Sequence, residues 1–224
     1  GGLSKANALK KANRHTYIRL WSAVLGLPKL EQEALRPILV LSEADREAAK
    51  RVLAAIPNLR RPIIGVNPSA GSRWPAKRLS AGRAGALCRA LAARFNSPVL
   101  FLGGPDEAEY AAAALQEAGP AAIGAGLTHS LRTFGAIVEN CDALVTADSL
   151  AFHIANAVGT PTAVFVGPTS SSELDLFGGG VLLGPAEECR DFYKSKCSLE
   201  TSCLDRISDE TFVRAAERLL RVRQ

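Results

Sequence analysis

The residues ALVTADSLAFHIANAVGTPTAVFVGPT, numbered 143–169, decide the fold of this chain. Segments 143–146 and 162–166 are short apolar runs with β-branched members, which is typical of buried strands in a parallel sheet. Residues 149–158 between them follow helical spacing, and Gly159 stands where a left-handed residue commonly ends a helix. The apolar residues able to share the inward face of that helix are Phe152, Ile154, Ala155 and Val158. The stretch therefore predicts a strand, a helix and a second parallel strand.

The polar residues of this stretch lie at the start of its helix. Asp148 ends the first strand, Ser149 takes the position of a helix N-cap, and His153 follows one turn later. Ligands of doubly wound sheets bind outside the carboxyl ends of the strands, and the free N–H groups of a helix N-terminus suit a phosphate. Spacing alone leaves two interpretations open. The three residues belong to a phosphate site, or Asp148 and Ser149 only cap the helix and His153 is an ordinary, partly buried histidine.

Strands and helices alternate over residues 61–224 as well. Further strands are predicted at 62–67, 98–102, 121–124 and 181–183, and further helices at 80–95, 106–118, 130–141 and 208–223. This alternation predicts an α/β fold, with a Rossmann-like doubly wound parallel sheet covered by helices on both faces.

Residues 1–60 have a different pattern, that of a helical and linker piece. A helical segment at 6–25 carries an apolar stripe that includes Tyr17 and Trp21. Ser42 then opens a second helix with a Ser-x-x-Asp capping pattern. Because aromatic side chains on a lone helix need a surface to cover them, we expect residues 6–25 to pack on the rest of this chain or on a second copy in a homodimer.

The composition is that of a folded protein with a mild positive charge. With 224 residues and 47% hydrophobic content, the chain can build a sizeable core. No apolar run approaches the roughly 20 residues of a membrane-spanning helix, and the first residues do not read as a signal peptide, so we expect a cytoplasmic location. The net charge of +5 allows an acidic ligand or an anionic membrane surface, but no basic patch with interleaved aromatic residues indicates nucleic acid.

Because the sequence contains no methionine, we expect it to be part of a longer protein.

The five cysteines do not indicate a metal site. Cys88 and Cys141 lie in apolar helical contexts, which predicts buried, unreactive thiols. Cys189, Cys197 and Cys203 share a loop without a CxxC pair, whereas a zinc site needs closer pairs and a fourth ligand. We therefore expect free thiols in a reducing compartment and no bound metal.

Three predicted loops leave strands at the same edge of the sheet, so their residues belong together. The first, residues 69–78, combines small residues with Arg73, Lys77 and Arg78, and small residues let backbone N–H groups approach an anion. The second, residues 103–107, is a Gly-Gly-Pro turn followed by two carboxylates, and the third is the Asp-Ser pair described above. Each loop alone also fits a solvated turn or a carboxylate that stabilises a helix start. Together they favour a nucleotide diphosphate site, although the GxxxxGK[ST] order of a Walker A loop is absent.

Three stretches carry a resemblance to a known family: PIIGVNPSAGSRWPAKR at 62–78, LFLGGPDEAE at 100–109 and DALVTADSLAFHIANAVGTPTAVFVGPT at 142–169. They resemble the carboxyl-terminal domain of the ADP-heptose:lipopolysaccharide heptosyltransferases, which have the GT-B glycosyltransferase architecture. The third stretch is the most specific, and the similarity runs from about Pro62 to the last residue. The resemblance implies that the chain is the carboxyl-terminal, donor-binding half of such a protein.

The resemblance also implies which residues contact a nucleotide sugar. They are Ser69, Ala70, Lys77, Glu107, Asp148, Ser149, Leu150 and His153. Lys77 would lie beside the diphosphate, and Glu107 near the ribose or base. Ala70 stands at a position where the family has a hydroxyl, and Leu150 replaces a glycine that lets the backbone approach the donor.

The activity implied for the parent protein is inverting transfer of heptose from ADP-heptose to a lipopolysaccharide core acceptor. In this family the catalytic carboxylate lies in an amino-terminal acceptor domain, so the catalytic residue is unknown here and is expected outside this sequence. Residues 1–60 would be the remnant of that domain and the interdomain connector, and residues 61–224 the donor-binding domain. This part alone would be inactive. No cofactor is implied, because Lys77 and the start of the helix after Asp148 would stabilise the leaving diphosphate.

The implied partners are ADP-heptose or a similar nucleotide sugar and the lipopolysaccharide core acceptor, with no nucleic acid. Such an acceptor would bring the protein into peripheral contact with the inner face of the bacterial inner membrane. Two alternatives remain open. The same fold could serve as a non-catalytic nucleotide-binding or interaction module, which Leu150 favours, or as a transferase for another nucleotide-activated sugar.

Overall fold

The centre of the fold is a six-stranded parallel sheet, in a computed structural model that describes residues 2–28, 35–185, 189 and 191–222. Its strands are β1 (Ile64–Asn67), β2 (Val99–Phe101), β3 (Ala122–Gly124), β4 (Ala143–Ala147), β5 (Thr162–Phe165) and β6 (Gly180–Leu183). They lie in the order β3-β2-β1-β4-β5-β6, and each neighbouring pair is parallel. The predicted α/β fold with a doubly wound parallel sheet is confirmed.

The helices that follow these strands lie where the sequence predicts them. The described α-helices are α1 (Gly2–Ala12), α2 (Tyr17–Val24), α3 (Glu43–Ala54), α4 (Ala81–Phe95), α5 (Ala108–Ala118), α6 (Leu131–Glu139), α7 (Leu150–Val158) and α8 (Asp209–Val222). From α4 onward, their bounds differ from the prediction by at most two residues, and Arg223, the predicted last residue of α8, lies outside the described residues. Gly159 ends α7 with a φ of 80°, as the sequence predicts.

Helices cover both faces of the sheet. Val66 and Val145 belong to the core under α4, α5 and α8, whereas Leu100 and Leu144 belong to the core under α3, α6 and α7. Successive side chains of a strand point to opposite faces, so a strand covered on both sides needs an unbroken apolar run. This requirement explains why the stretch from 143 to 147 is fully buried.

α4 and α5 pack unusually closely at Gly85. A Cβ atom at this position would lie 2.4 Å from Cβ of Glu117 and 2.9 Å from N of Ala118. Only a residue without a side chain therefore lets the two helices approach this far. On the same helix, a Cβ atom at Gly82 would meet nothing within 4 Å.

The amino-terminal segment contains two short helices instead of the single predicted one. The side chain of Asn13 accepts from N of His15 at 2.9 Å, and Oγ1 of Thr16 accepts from N of Arg19 at 3.4 Å. Such local bonds compete with helical ones, so the helix stops after Ala12 and restarts at residue 17. The prediction of one helix over residues 6–25 is therefore wrong.

The aromatic stripe of α2 is not covered by the described part of the chain. Tyr17 and Trp21 are 47% and 64% exposed, and it is Ser22 that faces inward. The segment does touch the rest of the protein, since Nζ of Lys10 lies 3.7 Å from the ring centroid of Tyr193 and the Tyr17 hydroxyl interacts with Glu173. Full burial of the stripe by the described residues is thus not observed, and burial against a second copy stays a prediction.

α3 packs on the sheet unit although it precedes residue 60. Ser42 and Asp45 form the predicted capping box at its start, and Nε of Arg46 lies 2.9 Å from a carboxylate oxygen of Glu139 on α6. Ala49 is fully buried in the core of that face.

None of the described helices is long and apolar enough to cross a membrane.

Candidate functional site

The strand order creates a crevice between β1 and β4. The chain leaves β1 towards β2 and leaves β4 towards β5, so the two loops diverge at the carboxyl ends of neighbouring strands. Ligands of doubly wound sheets bind at such switch points. Asn67, at the end of β1, is buried there. Its Nδ2 donates to O of Leu102 at 3.1 Å, and its Oδ1 accepts from Oγ of Ser149 at 3.1 Å. One side chain thus ties together β1, the end of β2 and the start of α7.

A cavity of about 360 Å³ opens above these strand ends. This volume lies in the range of small-molecule sites. The lining residues that the sequence predicts as site residues are Ser69, Ala70, Glu107, Ser149 and Leu150. The lining residues that sequence reasoning missed include Asn67, Leu127, His129, Leu131 and Phe134. Among them, Leu127, Leu131 and Phe134 form an apolar wall contributed by the loop after β3 and by α6, and that loop leaves the same edge of the sheet as the other three.

Glu107 joins two of the predicted loops. Its Oε1 accepts from N of Gly71 at 2.8 Å, and its Oε2 accepts from N of Gly104 at 2.8 Å. Gly71 has a φ of 74°, a conformation that glycine adopts without strain. Glu107 therefore holds the shape of the cavity. A contact of Glu107 with a ribose or base stays a prediction, since each of its oxygens keeps a second lone pair.

Ser69 has a buried hydroxyl that makes no hydrogen bond with any described residue. The residue is 3% exposed and lines the cavity beside Ala70. An unmatched buried hydroxyl costs roughly 1–3 kcal/mol, so such groups are rare unless a ligand or water satisfies them. Ala70 supplies no hydroxyl, so of these two neighbouring lining residues only Ser69 carries a side-chain donor.

Ser149 occupies the N-cap position of α7, but its side chain does not cap the helix. Its hydroxyl is instead engaged by Asn67 and lies 3.3 Å from Oγ1 of Thr146. The predicted side-chain cap is therefore wrong, because a neighbour on β1 competes for the hydroxyl. Since Leu150 and Ala151 also line the cavity, the first N–H groups of α7 remain available beside it.

Lys77 and Asp148 form an ion pair next to the start of α7. Nζ of Lys77 lies 2.6 Å from Oδ2 of Asp148, and the two side chains are 18% and 11% exposed. The same carboxylate oxygen accepts from Oγ1 of Thr169 at 2.8 Å. Lys77 ends a short 3₁₀ turn, and its Nζ lies 5.6 Å from the ring centroid of Trp74. The fold thus brings the predicted lysine and aspartate together, at the rim and not in the lining of the cavity.

His153 faces a different cavity from the five predicted residues that line the first one. It lies on the exposed side of α7 and lines a space of about 340 Å³ together with Tyr17 and Glu173. Burial of the ring lowers its pKa below the ordinary value, the charge of Asp148 opposes this shift, and the charge of Lys77 reinforces it. His153 therefore senses the Lys77–Asp148 pair without lining the first cavity.

No disulfide joins the cysteines in the described part of the chain. Cys88 and Cys141 are buried as predicted, and desolvation raises the pKa of Cys88 to about 12. Cys189 and Cys203 lie in the core under α8. No group of three or more His, Cys, Asp or Glu side chains among the residues described here is placed to hold a metal ion.

Comparisons with known proteins agree with these features. The family model of glycosyltransferase family 9 (heptosyltransferase) matches residues 6–197. A search of curated proteins found no significant match. Among solved structures, a glycosyl transferase family 9 protein from Veillonella parvula is similar with a TM-score of 0.67 and 23% identity, over 83% of this chain and 54% of that protein.

Two proteins from E. coli show the same fold. ADP-heptose lps heptosyltransferase II matches with a TM-score of 0.66 and 20% identity, over 84% of this chain and 55% of that protein. Heptosyltransferase WaaC, solved with ADP-2-deoxy-2-fluoro heptose, matches with a TM-score of 0.53 and 16% identity, over 89% of this chain and 53% of that protein. The chain spans about half the length of these solved relatives. Since the family model covers most of its residues, the chain belongs to glycosyltransferase family 9, the heptosyltransferase family.

Proposed function

We propose that this chain is the donor-binding part of a heptosyltransferase and that the cavity above β1 and β4 binds its nucleotide sugar. The observation that carries the proposal is the buried hydroxyl of Ser69, which has no partner among the described residues and lines a cavity at the switch point of the sheet. A ligand with phosphate or sugar oxygens would supply the missing partner.

The lining suggests how a nucleotide would lie. Leu127, Leu131 and Phe134 offer an apolar wall for a base. Ser69 and the first N–H groups of α7 offer donors for a diphosphate. Lys77 is paired with Asp148 beside the start of α7 and can add its positive charge.

The proposed reaction is inverting transfer of heptose from ADP-heptose to a lipopolysaccharide core acceptor. A general base would take the proton of the acceptor hydroxyl while the diphosphate departs. Lys77 and the N–H groups of α7 would stabilise the negative charge that grows on the departing diphosphate. WaaC, which shares the fold, was solved with an ADP-heptose analogue, and this supports ADP-heptose as the donor.

The base and the acceptor site are proposed to lie in a separate acceptor domain. The division at residue 60, with 1–60 as a remnant of the acceptor side and 61–224 as the donor domain, stays a prediction, as do a cytoplasmic location and peripheral contact with the inner membrane. By itself the chain is expected to bind the donor without transferring sugar.

Titration calorimetry with ADP, UDP and GDP tests the proposal. We expect saturable binding with a preference for ADP, and weaker binding in Ser69→Ala, with Ser72→Ala, at a loop position outside the cavity lining, as the control. Absence of binding for all three nucleotides would instead favour a non-catalytic interaction module. A preference for UDP or GDP would favour a transferase for another sugar.

One observation favours the non-catalytic alternative. Leu150 is 61% exposed at the edge of the cavity, where the family's motif has glycine. If its side chain hinders a donor, Leu150→Gly should strengthen ADP binding, even though glycine weakens a helix start slightly. Unchanged or weaker binding in that variant would remove this argument against the donor site.

A further inference from the structure

His129 is a polar residue in the apolar wall of the first cavity, and the proposed function gives it no role. The residue is half-buried, and the cavity is lined on either side of it along the chain by Leu127 and Leu131. An imidazole in apolar surroundings acts on a ligand chiefly through the hydrogen bonds of its two nitrogens. The partner of each nitrogen therefore decides what His129 can recognise.

One ring nitrogen of His129 is already bound by the backbone. Nε2 lies 2.6 Å from O of Ala125, and a carbonyl oxygen can only accept a hydrogen bond. Nε2 therefore carries the proton, and Nδ1 of the neutral ring keeps a lone pair. Nδ1 makes no hydrogen bond with any residue that the structure describes. The ring thus has one acceptor left for a ligand.

The backbone at Gly126 fixes the position of this ring. Gly126 has a φ of 95°, which favours glycine, and a Cβ atom there would lie 2.8 Å from Nε2 of His129 and 3.3 Å from its Cε1. The edge of the ring that carries Nε2 therefore packs closely against residues 125–126. This contact leaves the side of the ring with Nδ1 for the cavity that His129 lines.

We propose that Nδ1 of His129 accepts a hydrogen bond from the exocyclic amino group of adenine and thereby selects the base of the donor. Leu127, Leu131 and Phe134 provide the apolar surface against which that base packs. A base with a carbonyl group at this position, such as guanine or hypoxanthine, turns an oxygen lone pair towards the lone pair of Nδ1 and leaves both acceptors unpaired. Sites built around a hydrogen bond reject ligands that lack the matching group. The assignment rests on the proposed function, since it requires a nucleotide in the first cavity.

The affinities of ADP and of purine riboside diphosphate, which lacks the amino group, test the proposal. By titration calorimetry we expect wild-type protein to bind ADP about three- to tenfold more tightly than the analogue, as one neutral hydrogen bond allows. Inosine diphosphate, which has a carbonyl at this position, should bind no better than the analogue. His129→Phe keeps a planar ring without the acceptor and should bind ADP and the analogue equally. The same change at an exposed histidine outside the lining, His15→Phe, should keep the wild-type preference.

Two further measurements guard against a folding defect, because His129→Phe leaves O of Ala125 without this partner. Gly126→Ala keeps His129 but displaces its ring, so this variant should also lose the preference for ADP over the analogue. In wild-type protein, nitrogen NMR should show Nδ1 of His129 without a proton, and its resonance should move when ADP binds but not when the analogue binds.

Three outcomes would overturn the role of His129 while leaving the donor site in place. They are equal affinity of wild-type protein for ADP and the analogue, an unchanged preference in His129→Phe, and binding of inosine diphosphate as tight as that of ADP. If wild-type protein binds none of the three nucleotides, the donor site fails and the role of His129 fails with it.

Discussion

Nζ of Lys77 lies 2.6 Å from Oδ2 of Asp148, so the two opposite charges at the start of α7 neutralise each other across the sheet's crevice. A diphosphate that approaches this point gains the attraction of the ammonium and meets the repulsion of the carboxylate. The ion pair therefore moderates the contribution of Lys77 to anion binding, and both residues have to be considered together.

Replacing Lys77 with alanine should weaken ADP binding. A charge-assisted hydrogen bond is worth roughly 1.5–3 kcal/mol, which corresponds to about a ten- to a hundredfold loss of affinity. The uncompensated charge of Asp148 would add to the effect by repelling the diphosphate. Lys77→Arg keeps the charge and should retain most of the affinity. If titration calorimetry gives the same affinity for Lys77→Ala and wild type, the lysine has no role at the donor site.

Glu107→Gln should loosen the loops that shape the first cavity. The glutamine oxygen can accept from one of the two N–H groups at Gly71 and Gly104, while its NH₂ group would face the other donor. We expect a loss of roughly 1–3 kcal/mol in the free energy of unfolding and about tenfold weaker ADP binding. Glu109→Gln, on the exposed side of α5, should change neither quantity. Weaker binding with unchanged stability would mean that Glu107 contacts the ligand directly.

The pKa of His153 should rise when ADP binds. In the free protein, burial holds this pKa below its ordinary value of about 6.5. A nearby diphosphate favours the imidazolium, so the bound protein takes up a proton and ADP binding tightens as the pH falls through the range in which His153 titrates. NMR titration of the ring with and without ADP measures both values, and His15 serves as the reference ring. Identical pKa values for His153 in the two states would show that it does not sense the ligand.

Alanine substitutions at two glycines of α4 should change the free energy of unfolding in opposite directions. Gly85→Ala places a Cβ atom against the backbone of α5, and such overpacking costs roughly 1–3 kcal/mol of unfolding free energy. Gly82→Ala meets no neighbour and should stabilise the protein by about 0.5–1 kcal/mol, because alanine is the better helix former. Denaturant unfolding of the two variants provides the comparison. Similar midpoints would contradict the close approach of α4 and α5.

Trp21 should be protected in solution if a second copy covers α2. The side chain is 64% exposed in the single chain, and its exposed apolar neighbours on the same segment are Tyr17, Val24 and Leu25. We expect light scattering to give the mass of a dimer and iodide to quench Trp21 fluorescence poorly, with Trp21→Ser as a monomeric control. A monomer with freely quenched Trp21 would exclude this homodimer.

Local patterns in the sequence predict most of the fold, because they depend on neighbours along the chain. The apolar runs that become β4 and β5, the cap at Ser42 and the left-handed Gly159 are all of this kind. The break between α1 and α2 was missed although its cause is local, since an apolar stripe outweighed the turn-forming residues 13–16.

The site was predictable only in part. Parallel strands end at one edge, so the meeting of Lys77 with Asp148 follows from topology. The use of the Ser149 hydroxyl by Asn67 does not follow, since 82 residues separate the two and no spacing rule connects them. The hydrogen bond that Glu107 accepts from N of Gly71 was also not predictable from spacing, because 36 residues separate the two.

The pairing of β1 with β4 has a consequence for the order of folding. Thr146 and Asn67 are 79 residues apart, whereas β1 with β2 and β4 with β5 each belong to a local βαβ unit. Contacts between distant segments form late, because closing a long segment costs chain entropy before any contact compensates for it. Neither βαβ unit contains the crevice by itself, so the crevice exists only after the two units have docked. A ligand that contacts both Ser69 and the start of α7 binds the docked state alone and therefore raises the temperature at which the two units separate.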